Sequence, residues 1–348
     1  MYKQKGLSLI ELMISLTLGI VLMTGVVQMF LTSRTTYSHQ QAISRIQEGG
    51  RMAVDFLAQD IRMAGYMGCA SDNAEITLGL DSGDESDDYK YEFSEAIRGY
   101  AAADAPGTLA PAADTDVLVI RRASGEGVPI IEEHEQATNA NLKVDGEVSD
   151  KCLVGVGFCA NQVGVITDCT KGRVFRAVTI SNSSGKPTIA HSKGGGSGVR
   201  SNVDNTLGDQ GYADGSRIMA LNTIAYYVAD SDFSPDGAAP VRSLWKQVGE
   251  ETPVELIEGV EDMTIHYGLD IGAPDGVPDT YRAQSAMAAT DWDNVRSVRL
   301  YLLLQGAQPN VLPESQTLDF AGEELTFTDG RMRQIFTSTV GIRGRLDN

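Results

Sequence analysis

From Leu7 to Leu31 the chain carries a single charge, the carboxylate of Glu11. Coiled as a helix, those 25 residues span about 37 Å, longer than the roughly 30 Å hydrocarbon core of a bilayer. The segment is therefore long enough to cross a membrane. Lys3 and Lys5 precede it, which places the N-terminus in the cytoplasm and everything after Arg34 outside. An ordinary secretory signal has an apolar run of about 7–15 residues and a small-residue cleavage site. This run is longer, and TSRTTYS after Leu31 offers no A-x-A. A plain anchor fits the length but gives no reason for Glu11. A carboxylate at the bilayer centre costs on the order of 2.5–3.5 kcal/mol on insertion scales and less near an interface. The bland reading leaves Glu11 hydrated among the cytoplasmic headgroups.

The surrounding residues suggest a third reading. The leader MYKQKG is short and basic and ends in Gly6, and Glu11 is the fifth residue after it. This resembles the class III signal of type IV pilins and pseudopilins. The resemblance implies cleavage after Gly6 by the membrane prepilin peptidase and N-methylation of Leu7. The family usually has Phe at that first mature position. Leu7 is apolar and of similar bulk, so processing is still expected. Cleavage would leave a positive amine on Leu7. That amine and Glu11 are each expensive alone in lipid, and together they form an ion pair within a subunit or between neighbours.

Beyond Leu31 the pattern continues as helix. Ile43, Ile46, Gly50, Ala53, Leu57, Ile61 and Ala64 recur at steps of three and four, which makes one apolar face. Arg45, Glu48, Arg51, Asp55 and Arg62 fall opposite, and Asp60 reads with them as an exposed helix charge. Gly49-Gly50 weakens the middle and marks a candidate bend. TSRTTYSHQQ has neither Pro nor Gly to break the helix, and Gly65 is a candidate stop. The segment DIRMAGYMGC (60–69) resembles the helix end of PilW-type minor pilins, as do IEGVEDMTIHYGLD and DWDNVRSVRLYLLLQ nearer the C-terminus. The middle, roughly 70–215, matches more loosely. The division expected is a cleaved leader 1–6, a transmembrane and assembly half 7–31, an amphipathic half 32–65 and a mainly β globular domain 66–348.

From about residue 70 the chain reads as β. Residues 115–123, 163–181, 223–229, 243–248, 263–269, 295–305 and 335–343 are rich in β-branched and aromatic side chains, several alternating at period two. DSDFSPDGAAP reads as a hairpin loop. LDSGDESDDY (80–89) and the Gly/Ser-rich 181–202 read as solvated loops. A helix followed by a run of strands is an α+β order. The resemblance implies the type IV pilin-like fold, a long N-terminal helix packed on an antiparallel sheet.

Cys69, Cys152, Cys159 and Cys169 show no CxxC spacing, and the four histidines are scattered, which does not suit a zinc site. An even count in an exported domain fits two disulfides. Of three connectivities we favour Cys69–Cys169 with a local Cys152–Cys159, the others remaining open. A net charge of −19 argues against broad contact with nucleic-acid phosphates. GGGSG (194–198) lacks the Lys of a P-loop, and no G-x-S-x-G or H-E-x-x-H is present, so no enzyme is expected.

One small-ligand candidate stands out. Asp270, Asp275 and Asp279, with Gly276, carry oxygens of the kind that ligate Ca²⁺, set against a turn held by Asp, Pro and Gly. PilW-type proteins often carry a D-x-N-x-D-G-x-x-D loop here. In this chain the first half is one residue longer and lacks the middle ligand, while Asp275, Gly276 and Asp279 keep the spacing. No other cofactor is expected.

The function implied by the resemblance is a minor pilin that primes type IV pilus assembly and ends at the pilus tip, with roles in twitching motility and adhesion. Its partners would be other minor pilins and the major pilin, through the N-terminal helix. It would sit in the inner membrane with its globular domain in the periplasm, then at the cell surface. The alternatives are a minor pseudopilin of a type II secretion system, a tip adhesin and, from another class, a membrane-anchored enzyme.

Overall fold

One helix, Leu9–Arg62, runs 54 residues without interruption. The computed structural model describes residues 8–70, 75–81, 89–107, 109–125, 127–135, 141–183, 185–194, 200–208, 211–232, 241–272, 275–309 and 311–345. The expectations on Gly6 and Leu7, on 82–88 of the acidic stretch, on 195–199 of the Gly/Ser stretch and on 233–240 of the hairpin loop lie outside those residues. In the apolar half, hydroxyls bond back to the preceding turn: Ser15 to the Leu12 carbonyl at 3.0 Å, Thr17 to Met13 at 3.0 Å and Thr24 to Ile20 at 2.8 Å. Such back-bonding leaves none of these three hydroxyls unpaired in an apolar surround. At the far end the last N–H groups tighten, Met63 to the Asp60 carbonyl and Ala64 to Ile61. Gly65 then adopts φ +75°, a conformation that favours glycine. Its N–H leaves the helix for the Arg121 carbonyl at 2.8 Å.

The chain folds as two compact units, Met1–Glu48 with Gln305–Gln334, and Gly49–Leu304 with Ile335–Asn348. In the first, a hairpin pairs Gln316–Phe320 with Glu323–Phe327. Arg333 organises the segment around it. Its guanidinium forks onto both Asp329 oxygens at 2.7 and 2.9 Å and lies 4.0 Å above the Phe327 ring. Its backbone N–H and C=O are both bonded by the Gln316 amide. Gly306 comes close to Ala42 and Ile46 of the helix, and Ile46 is buried there.

The second unit holds the large sheet. Its backbone order is Glu75–Leu78, Lys171–Arg176, Val163–Thr167, Arg217–Asp230, Arg242–Val248, Val254–Glu258. The central strand Arg217–Asp230 also pairs with Asp116–Ala123, which carries Ile97–Ala101. Most pairs are antiparallel, and Glu75–Leu78 joins Lys171–Arg176 in parallel. A second sheet orders Thr280–Ala283, Val260–Leu269, Val295–Gln305 and Arg333–Gly341. Its alternation is that read from the sequence: Met263, Ile265, Tyr267 and Leu269 are all fully buried, as are Val298, Leu300 and Leu302. The helix contributes Ala53, Leu57 and Ile61, each at 0% exposure. The result is the α+β, pilin-like arrangement expected.

Two positions depart from the sequence reading. Gly49-Gly50, read as a bend, is where strand side chains press on the helix. A Cβ at Gly50 would stand 2.3 Å from the Phe336 ring, and one at Gly49 would meet Ile257. Asp60, read as an exposed charge, is 3% exposed. Spacing explains the second difference. Asp60 lies seven residues after Ala53 and three after Leu57, so it belongs to the buried face.

The cysteines form two disulfides, Cys69–Cys169 and Cys152–Cys159. The first ties the segment after the helix to the turn after Val163–Thr167, a separation of 100 residues. The second staples the small sheet of Val148–Ser149, Cys152–Leu153 and Phe158–Cys159.

Candidate assembly site

The helix opens at Ser8, whose carbonyl accepts the Leu12 N–H at 3.1 Å. Three residues on, Glu11 turns back and its Oε2 accepts the Ser8 backbone N–H at 3.0 Å. A carboxylate in the first turn satisfies one of the donors that a helix start leaves unpaired, and the helix dipole favours it there. Spacing alone carries that signal, since S-x-x-E before an apolar run is the capping-box pattern, a role that neither the ion-pair nor the hydrated reading of Glu11 includes. Leu7, the residue before Ser8, lies outside the described residues.

From Leu9 to Leu31 the large side chains are exposed: Leu9 at 78%, Leu22 at 69% and Met29 at 75%. This helix is long and apolar enough to cross a membrane. Among the described residues nothing covers that stripe, so its apolar surface is left for lipid or for other helices.

The other end of the helix is bolted to the sheet by charge. Asp60 Oδ1 accepts Arg122 Nη2 at 2.9 Å and Nε at 3.2 Å. Asp60 Oδ2 accepts the Tyr226 hydroxyl at 2.6 Å and Lys246 Nζ at 2.8 Å. Burial pushes the Asp60 carboxyl up, but the Lys246 and Tyr226 hydrogen bonds with the Lys246 and Arg122 charges outweigh it, so it titrates below an ordinary Asp. Burial and the neighbouring Asp60 push the Tyr226 phenol far up, so it stays a donor. Three strands, holding Arg122, Tyr226 and Lys246, thereby meet on one helical carboxylate.

The three aspartates of 269–281 are used by the loop itself. Asp270 is 5% exposed, accepts the Gly276 N–H at 3.1 Å and faces Arg296 Nε at 3.5 Å. Asp279 Oδ2 accepts the N–H groups of Ile271 and Gly272 at 3.0 and 2.9 Å, and Asp275 accepts Val277 N–H at 2.9 Å. Among the described residues no three His, Cys, Asp or Glu side chains converge as metal ligands would.

The family described as Type IV Pilus-assembly protein W matches residues 225–344. The prokaryotic N-terminal methylation motif matches residues 1–27. No curated protein and no solved structure matches the chain. The two matches support a PilW-type, prepilin-like protein, related to the type IV pilus as a minor pilin. They point to a structural rather than a catalytic part. The motif and the N-terminal apolar helix are consistent with an inner-membrane anchor and pilus assembly.

Proposed function

We propose that this chain is a minor pilin that primes type IV pilus assembly and is carried to the pilus tip, and that its assembly signal is the pair of Glu11 and a new amine on Leu7. The observation that carries the reading is the Glu11 carboxylate on the Ser8 N–H at 3.0 Å, at the head of an uncovered apolar helix. Consecutive Cα atoms are about 3.8 Å apart, so an amine on Leu7 would fall within reach of the same carboxylate. In the unassembled subunit Glu11 would serve its own helix start. On assembly it would exchange that bond for a neighbour's amine and so fix axial register, because a buried charge without its partner is costly. The leader would end at Gly6, with 7–31 the assembly half of the helix. The bulk of the globular part on a single helix favours an end position over one repeated along a shaft, and twitching and adhesion would follow from that position. Mass spectrometry of the mature N-terminus tests the processing: a methylated Leu7 start is expected, and an intact Met1 in assembled material rejects it. Glu11→Ala should leave membrane insertion intact and reduce recovery in sheared filaments, and wild-type recovery would refute the register role.

The loop 269–281 we read as a turn held by its own aspartates and Arg296. Titration of the full chain with millimolar Ca²⁺ should release no heat.

A further inference from the structure

Between Glu11 and Arg45 the helix carries one Asp, Glu, Lys or Arg, the guanidinium of Arg34. Arg34 lies 23 residues after Glu11, about 35 Å along the axis. If Glu11 stands at the cytoplasmic edge of a hydrocarbon core roughly 30 Å thick, Arg34 stands at the phosphates of the opposite leaflet. Among the described residues Arg34 has no ion pair or hydrogen bond, only the Phe30 ring 5.9 Å from its guanidinium carbon.

Arg34 lines a cleft of about 410 Å³. Phe30, Arg34, Tyr37 and Gln41 recur at steps of four, three and four, so they form one stripe of the helix. Gln308, from the segment after Val295–Gln305, makes the opposite wall. The order along the stripe follows the polarity of a bilayer edge. Phe30 lies toward the apolar run, the cation follows, and Tyr37 and Gln41 lie toward water. Aromatic residues and long cations occupy this level of a membrane protein. The cleft is lined by one cation and no carboxylate, so its charge complements a phosphate.

We propose that this cleft seats the headgroup of an anionic phospholipid of the outer leaflet, with the phosphate on Arg34, the glycerol on Gln41 and Gln308, and an acyl chain along Phe30. A guanidinium holds phosphate through two parallel hydrogen bonds, which a point charge cannot do. The proposal rests on the membrane reading above. It adds that the subunit enters the bilayer with a bound lipid, which an incoming helix must displace.

The experiment uses the full chain in phosphatidylcholine nanodiscs doped with phosphatidylglycerol, followed by native mass spectrometry of the released protein. Wild type should retain one phosphatidylglycerol. Arg34→Gln should enter the discs equally and retain on the order of tenfold less, while Arg45→Gln, outside the cleft, should match wild type. Equal retention by Arg34→Gln overturns the proposal. Stripping of the adduct by inorganic phosphate also overturns it, because the site would then take free anions. A retained second copy of the chain, lost in Arg34→Gln, overturns it in favour of a neighbouring subunit. Failure of wild type to enter the discs strikes the membrane reading itself, and the lipid site falls with it.

Discussion

Asp60 shows how much one side chain can carry. Arg122, Tyr226 and Lys246 all spend their polar ends on it, and each belongs to a different strand. Removing the carboxylate leaves the buried Tyr226 phenol with only the Phe56 carbonyl at 3.4 Å and leaves two cations without their anion. Arg122 and Lys246 keep 21% and 26% of their side chains exposed, so water softens the loss. Asp60→Ala should lower the unfolding free energy by about 3 kcal/mol, measured by denaturant titration of the full chain in detergent. The acid behaviour has a definite sign. A carboxyl whose folded pKa is depressed contributes its stability above the ordinary value of 3.8 and loses it as pH falls through the folded value. Below that range wild type and Asp60→Ala should converge.

At the scale of elements, the helix behaves as two different objects joined in sequence. Its first half satisfies its own backbone and hydroxyls and exposes its apolar side chains. Its second half is held by strands pressed close enough to require glycine. Gly→Ala inside an exposed helix ordinarily stabilises by about 1 kcal/mol. Gly50→Ala should do the reverse and lower the thermal midpoint, because the new methyl meets the Phe336 ring. Trimming Phe336 to Leu in the same chain should recover part of the loss. The disulfides divide unequally by the same logic of connection. Cys69–Cys169 closes 100 residues and Cys152–Cys159 closes seven. On the chain-entropy account, Cys69→Ser with Cys169→Ser should cost roughly 4–5 kcal/mol, and the matching pair of changes at Cys152 and Cys159 about half that.

For the molecule as a whole, pH response is set by groups buried far apart in sequence. Burial raises Asp116 to about 6 despite the Ile265 N–H it accepts at 2.8 Å. Burial likewise raises Asp262 to about 6, beyond what the Met263 N–H and Arg242 offset, with the Asp116 charge adding to it. His134, 4% exposed and edge-on to His191 at 5.3 Å, is lowered to about 4 by burial and by its neighbour. The signs oppose. A raised carboxyl stabilises fully below 3.8, and that contribution is lost as pH rises through about 6. A lowered histidine loses stability as pH falls from 6.5 toward 4. Relative to wild type, Asp116→Asn should therefore gain stability as pH rises across its window, and His134→Asn should gain it as pH falls across its own. Parallel pH–midpoint curves for the three proteins would refute both assignments.

The membrane-length helix, its charged start and the α+β order were all legible in the sequence, because they rest on local regularities. An uncharged run is long or it is not, Glu11 is three residues from Ser8, and strands alternate at period two. Even the burial of Asp60 was present in the helical spacing, though its charge argued the other way. The tertiary structure decided what locality does not encode. It placed three strand side chains around Asp60, brought the Phe336 ring onto Gly50 and joined Cys69 to a cysteine 100 residues away. It also gathered Gln308 beside Arg34. Those are pairings between distant segments, fixed by sheet register and burial, and no short stretch of the chain contains both partners.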